Sequence, residues 1–164
     1  MAVRPFVPWP DKRLRSPAAE VGQITEDHRA IWDDMIDTME AMPGLGLAAP
    51  QIGVMLRLAV VDASDERGRP IRMADPEIVS RSAERNTYPE GSPNLPGVTA
   101  KVSRPATVTV AFTDHMGLRV RQEFVGLWAT SVQHQIDHLA GRMYFDNLSK
   151  VKRDMLLKKA RKVR

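Results

Sequence analysis

Gln133-His134-Gln135-Ile136-Asp137-His138 is the stretch that decides how this chain is read; it stands near the end of an apolar run beginning at Gly126. Histidines four residues apart fall on one helical face, one turn above the other, so both imidazoles can reach a single ion. In H-E-x-x-H zinc helices the glutamate beside the first histidine is the general base. Gln135 holds that position here. An amide cannot take a proton from a metal-bound water, so the ligand spacing is present and the base is not. The spacing alone is a weak signal that two metal-free helix histidines explain more readily, and the rest of the chain has to decide.

The chain has 164 residues, enough for one domain with a real core. It contains no cysteine, which excludes disulfides, a thiolate metal ligand and a cysteine nucleophile. No apolar run approaches the roughly 18 residues of a membrane span, and Met1 to Lys12 lacks the apolar centre of a signal peptide. A soluble cytoplasmic protein is expected. Net charge is +4, unevenly spread. Eight of the 24 basic residues and one of the 20 acids lie between Lys150 and Arg164, leaving 16 bases and 19 acids elsewhere. A mildly acidic body therefore precedes a basic tail.

Upstream, Pro5 to Val21 is proline-rich and reads as an extended lead-in. Thr25 fits a helix N-cap, with Glu26 and Asp27 favouring the dipole of the first turn. Ile31, Met35, Met39 and Met42 predict one buried helical stripe, ended by Pro43 and Gly44. Gly44-Leu45-Gly46-Leu47-Ala48-Ala49-Pro50-Gln51 leaves almost no side chain on one face. It fits either a close approach to a ligand backbone or a tight connection of packing residues. Strands are predicted at Leu56 to Val61, at Ile71 to Val79 with a break at Asp75-Pro76, and at Thr107 to Phe112 and Leu118 to Phe124. Ser80 to Thr87 reads as a polar excursion and Glu90 to Val98 as a loop.

Three of these stretches resemble, in order and spacing, the motifs of peptide deformylases. Gly44 to Gln51 is similar to the first motif. Glu90-Gly91-Ser92-Pro93-Asn94 stands where Glu-Gly-Cys-Leu-Ser belongs, and Gln133 to His138 resembles Gln-His-Glu-x-Asp-His. The likeness extends to Pro10-Asp11-Lys12-Arg13-Leu14-Arg15 and to Gly141 through Ser149, nearly the whole chain. It implies an α+β fold: antiparallel sheets around a central helix carrying His134 and His138, the Thr25 helix packed outside, and a C-terminal helix. It also implies a deformylase-like domain over residues 1–149 and a basic helix or tail over residues 150–164.

Deformylases remove the formyl group from the initiator methionine of nascent chains, using a divalent ion held by two histidines and a cysteine. The resemblance places the ligands at His134, His138 and Ser92, the last replacing cysteine. It places the base at Gln135, replacing glutamate, and the oxyanion donors at Gln51 and at the backbone of Pro93, which has no N–H. Leu45, Gly46 and Gly91 would line the groove where substrate runs as an added strand. A serine hydroxyl is a poor substitute for thiolate. Losing one oxyanion donor costs about 10²–10³ in rate, and losing the base about 10²–10⁴. The expectation is a catalytically impaired or inactive member that keeps its peptide groove. The alternative is a metal-dependent hydrolase of N-formyl-methionyl peptides, or a related amidase, with an altered metal site. No tightly bound cofactor is expected; any ion would be one Zn, Fe or Ni at His134 and His138. Expected partners are nascent or N-terminal peptides and, through Lys150 to Arg164, ribosomal RNA, with neither DNA nor membrane.

Overall fold

A computed structural model describes residues 2–163. Helices α1 (Glu26–Ala41), α2 (Gly126–Leu139) and α3 (Lys150–Val163) accompany seven strands: β1 (Gly46–Ala48), β2 (Leu58–Val61), β3 (Ile71–Arg81), β4 (Arg85–Ser92), β5 (Leu95–Pro105), β6 (Thr107–Thr113) and β7 (Arg119–Val125). An antiparallel five-stranded sheet, β1-β2-β3-β6-β7, and the separate β4–β5 hairpin enclose α2 between them. This is the α+β arrangement expected. Among the described residues no helix is long and apolar enough to cross a membrane.

Thr25 caps α1, its backbone N–H donating to His28 Nδ1 at 3.1 Å. The buried face is centred one position away from the predicted stripe. Trp32, Met35 and Met39 are fully buried against Leu47, Leu58 and Val60, whereas Ile31 and Met42 lie at its partly covered edges. Trp32 belongs to this core because its indole N–H, donating to the Met73 carbonyl at 3.2 Å, is satisfied there.

Two strand predictions need correction. First, β3 does not stop at Asp75-Pro76 but passes through it as a bulge, with the register shifting between Ala74 and Glu77 and Asp75 at φ 49°. The Asp75 carboxylate accepts the N–H groups of Val21 and Gly22, which holds the bulge open. Second, Glu90 to Val98 is the tip of the β4–β5 hairpin, turning at Pro93 and Asn94, rather than a loop. Its inward residues Leu95, Val98 and Val102 are spaced by three and four. No period-2 reading detects that.

Helix α2 starts at Gly126, whose φ of 59° favours glycine, and carries Ala129 and Val132 into a core of Val108, Val110, Phe112 and Phe124. Helix α3 seats Leu156 and Ala160 on the hairpin, in a cluster with Leu95, Val98, Val102 and Phe145.

Candidate active site

One face of α2 is the floor of a groove of about 390 Å³. Leu127, Thr130, Ser131, His134 and Gln135 form that floor, Leu45 and Gly46 one wall, and Tyr88 to Pro93 the other, with Gln51 at one end. Every residue placed along the groove by sequence therefore faces it: Leu45, Gly46, Gln51, Gly91, Ser92, Pro93, His134 and Gln135. His138 does not. It is buried one turn deeper, where its Nε2 lies 3.2 Å from Nε2 of His134.

The wall at Gly46 has no room for a side chain. A Cβ there would stand 2.6 Å from both Gln135 Nε2 and Ser131 Oγ. Ser131 Oγ donates to the Leu45 carbonyl at 2.9 Å, tying the floor to this wall. β1 is an edge strand of the sheet, open on its groove side to an added strand.

Behind His134 runs a buried charge relay. Glu90 accepts from His134 Nδ1–H at 2.8 Å and, through both carboxylate oxygens, from Arg104 at 2.7 and 2.9 Å. Arg104 also donates to Asp137 at 2.9 Å. Burial pushes the Glu90 carboxyl up, but hydrogen bonds from His134 and Arg104 outweigh it and hold the group below its ordinary value. Burial, then the His134 and Arg104 charges, push His138 well below its own ordinary value, so its imidazole is neutral. With Nδ1 committed to Glu90, the His134 ring is oriented with its Nε2 toward His138.

These two nitrogens fit a divalent ion. Tetrahedral zinc with Zn–N near 2.0–2.1 Å separates two ligand nitrogens by roughly 3.3–3.4 Å. The third position does not match. Ser92 Oγ donates to Asn94 Oδ1 at 3.0 Å and lies 3.4 Å from Gln51 Nε2. A hydroxyl so engaged gives up its proton far less readily than a thiol. Among the described residues no three His, Cys, Asp or Glu side chains converge as a ligand set. Gln135 Oε1 is buried without a hydrogen-bond partner. Two imidazole nitrogens are thus spaced as two ligands of one ion would be, without an anionic third donor among the described residues.

Sequence reasoning did not assign roles to Arg104, Asn94 or Ser131. Arg104 meets partners 14 and 33 residues away, which no local pattern announces. Asn94 had a signal, since it departs from serine at the third motif position after glycine. It links the hairpin tip to Gln51 and Val7.

The chain matches a family described as Polypeptide deformylase over residues 3–154. It is 42% identical over 161 residues to a peptide deformylase of Rhizobium meliloti, covering 97% of this chain and 92% of the relative. Against one of Afipia carboxidovorans identity is 44% over 161 residues, covering 97% and 94%. A crystal structure of a peptide deformylase from Legionella pneumophila superposes with a TM-score of 0.91 at 40% identity, covering 99% of this chain and 95% of that one. One from Ehrlichia chaffeensis in complex with actinonin gives 0.92 at 36%, covering 99% and 98%. With the groove, the paired histidines and the Glu90–Arg104 relay in place, these likenesses over the full length make the chain a member of the polypeptide deformylase family.

Proposed function

We propose that this chain takes the formylated N-terminus of nascent peptides into its groove and hydrolyses the formamide slowly, as a deformylase with an altered metal site. The observation that carries this reading is the pair of Nε2 atoms 3.2 Å apart, with Glu90 fixing one of them in the ligating tautomer. A buried carboxylate–histidine pair of that kind fixes the ring orientation and raises ligand basicity.

His134 and His138 would hold the ion, which would supply Lewis-acid polarisation of the formyl carbonyl and acidify a bound water. The remaining work falls to side chains of this chain. The peptide pairs along the open edge of β1 at Gly46 and passes Gly91 on the facing wall, while Leu45 and Leu127 take up its apolar first residue. Gln135 can hydrogen-bond a water or the formyl group but cannot carry a proton. Gln51 Nε2 is drawn toward Asn94 and Ser92, away from a full oxyanion role. Turnover is therefore expected orders of magnitude below that of a site with base, thiolate and both donors.

A second reading keeps the binding and drops the chemistry, and it is favoured by the simultaneous presence of Ser92, Pro93 and Gln135. In both readings residues 1–149 hold the groove, and the basic helix from Lys150 brings the protein to ribosomal RNA. Formate release from a formyl-Met tripeptide, with zinc, nickel or ferrous ion supplied, separates them. Slow, ion-stimulated release abolished by His134→Ala supports hydrolysis. Peptide binding with no release under any ion leaves the holder.

A further inference from the structure

The opposite side of α2 borders a larger, open cavity of about 710 Å³, lined by β3, the base of the β4–β5 hairpin and the helix residues Gln133, Ile136 and Asp137. Arginine dominates its wall: Arg57, Arg81, Arg85, Arg104, Arg119 and Arg142. Facing them are Glu20, Asp75, Glu77 and Asp137. Residues 1–149 carry only 16 bases against 19 acids, so this excess is a local concentration in an acidic body.

Five of the six guanidinium groups are held, in two different ways. Arg104 and Arg142 are neutralised by Glu90 and Asp137. Three others are fixed by neutral oxygens instead. Arg57 donates to the Pro76 carbonyl at 2.7 Å and Arg119 to the Asp75 carbonyl at 2.8 Å. Arg85 donates to the hydroxyl and the carbonyl of Ser103, both at 2.9 Å. The Arg81 guanidinium makes no hydrogen bond or ion pair among the described residues. A carbonyl orders a guanidinium without cancelling its charge. Such a group has lost much of its freedom before a ligand arrives and keeps N–H pairs for a two-pronged oxyanion contact.

We propose that this cavity binds a ligand carrying adjacent phosphoryl groups, either a free oligophosphate such as a nucleoside triphosphate or a stretch of RNA backbone. Four of these arginines make no ion pair among the described residues, and of the carboxylates beside them Asp75 already accepts the N–H groups of Val21 and Gly22. The volume lies within the roughly 300–1,000 Å³ usual for small-molecule sites. Glu20 and Glu77, exposed at the rim, oppose an anion there, so a phosphoryl ligand has to sit against the arginines and away from them. The site is separate from the peptide groove, and neither reading of the groove's chemistry bears on it.

The test is a calorimetric titration of the full chain with tripolyphosphate, with ATP and with a short RNA, at low salt. The RNA arm uses a Lys158→Ala, Lys162→Ala variant, so that α3 contributes less. We expect at least one ligand to bind with a sub-millimolar Kd. Affinity should fall about ten-fold or more in an Arg81→Ala, Arg85→Ala variant, whose substituted side chains are exposed and not part of the core. Removing the same charge at Lys158 and Lys162 should leave tripolyphosphate affinity unchanged. Tighter RNA than tripolyphosphate binding identifies the backbone as the source, and the reverse order identifies a free oligophosphate. No binding by any of the three, or equal loss in both variants, overturns the proposal.

Discussion

Asn94 and Gln51 hold each other by two hydrogen bonds: the Gln51 side-chain N–H donates to Asn94 Oδ1 at 2.8 Å, and Asn94 Nδ2 donates to the Gln51 carbonyl at 2.9 Å. Asn94 Nδ2 also serves the Val7 carbonyl, so one side chain fixes the hairpin tip, the N-terminal lead-in and the groove end. Asn94→Ala leaves buried carbonyls without their donor. Stability should fall by about 1–3 kcal/mol. Urea unfolding checks this, and a variant as stable as the parent would show that the three segments are held by packing alone.

The paired histidines predict how metal affinity responds to Ser92. Ser92→Cys supplies the anionic third ligand and should raise zinc affinity by about 100-fold or more in chelator competition. The rate of formyl-peptide hydrolysis should respond much less until Pro93→Leu and Gln135→Glu are added. The triple variant then gains the factors of about 10²–10³ for the donor and 10²–10⁴ for the base. An active single variant would mean that Gln135 is not limiting.

Acid sensitivity follows from His138 and Glu90. The folded pKa of His138 lies below its ordinary 6.5, so the unfolded chain gains the proton first. Its contribution is fully present above pH 6.5 and is lost as pH falls from there toward the folded value. Glu90, lowered from 4.5, adds a second loss that begins as pH falls below that figure. Unfolding free energy should therefore decline in two stages. His138→Gln should flatten the first stage only; an unchanged slope between those two pH values would place the titration elsewhere.

For the basic helix, charge reversal is a cleaner probe than deletion. Removing α3 would strip Leu156 and Ala160 from the cluster that covers Leu95 and Val98, and the loss of binding could not be separated from damage to the hairpin. Exposed Lys152, Lys158, Lys159 and Lys162 can be changed to glutamate without touching that core. The parent chain should co-sediment with ribosomes at low salt. With about four phosphates contacted, log affinity should fall against log salt with a slope near −3. Undiminished co-sedimentation of the reversed helix would leave the tail as solvated charge.

The groove was legible in the sequence because its parts are local. Gly44 to Gln51, Glu90 to Asn94 and Gln133 to His138 each announce themselves within a few residues, and the fold follows from their order. Relations between distant segments were not legible. Arg104 sits in a strand hidden by prolines and glycines, and nothing near it in sequence names Glu90 or Asp137 as its partners. The burial of His138 behind His134 was equally silent, since helical spacing aligns two residues without saying which one faces solvent. Trp32 was passed over because the methionine spacing beside it gave a cleaner pattern.

Arg104 has one more consequence. It lies on β5, grips Glu90 on β4 and reaches Asp137 on α2, so one wall of the groove and its floor are riveted into a single rigid body. The opposite wall, with Leu45 exposed at its edge, is joined to the same floor by the Ser131 hydroxyl. A peptide arriving there meets a finished surface and has little of the protein to put in order, so differences among peptides should appear as differences in how long each one stays.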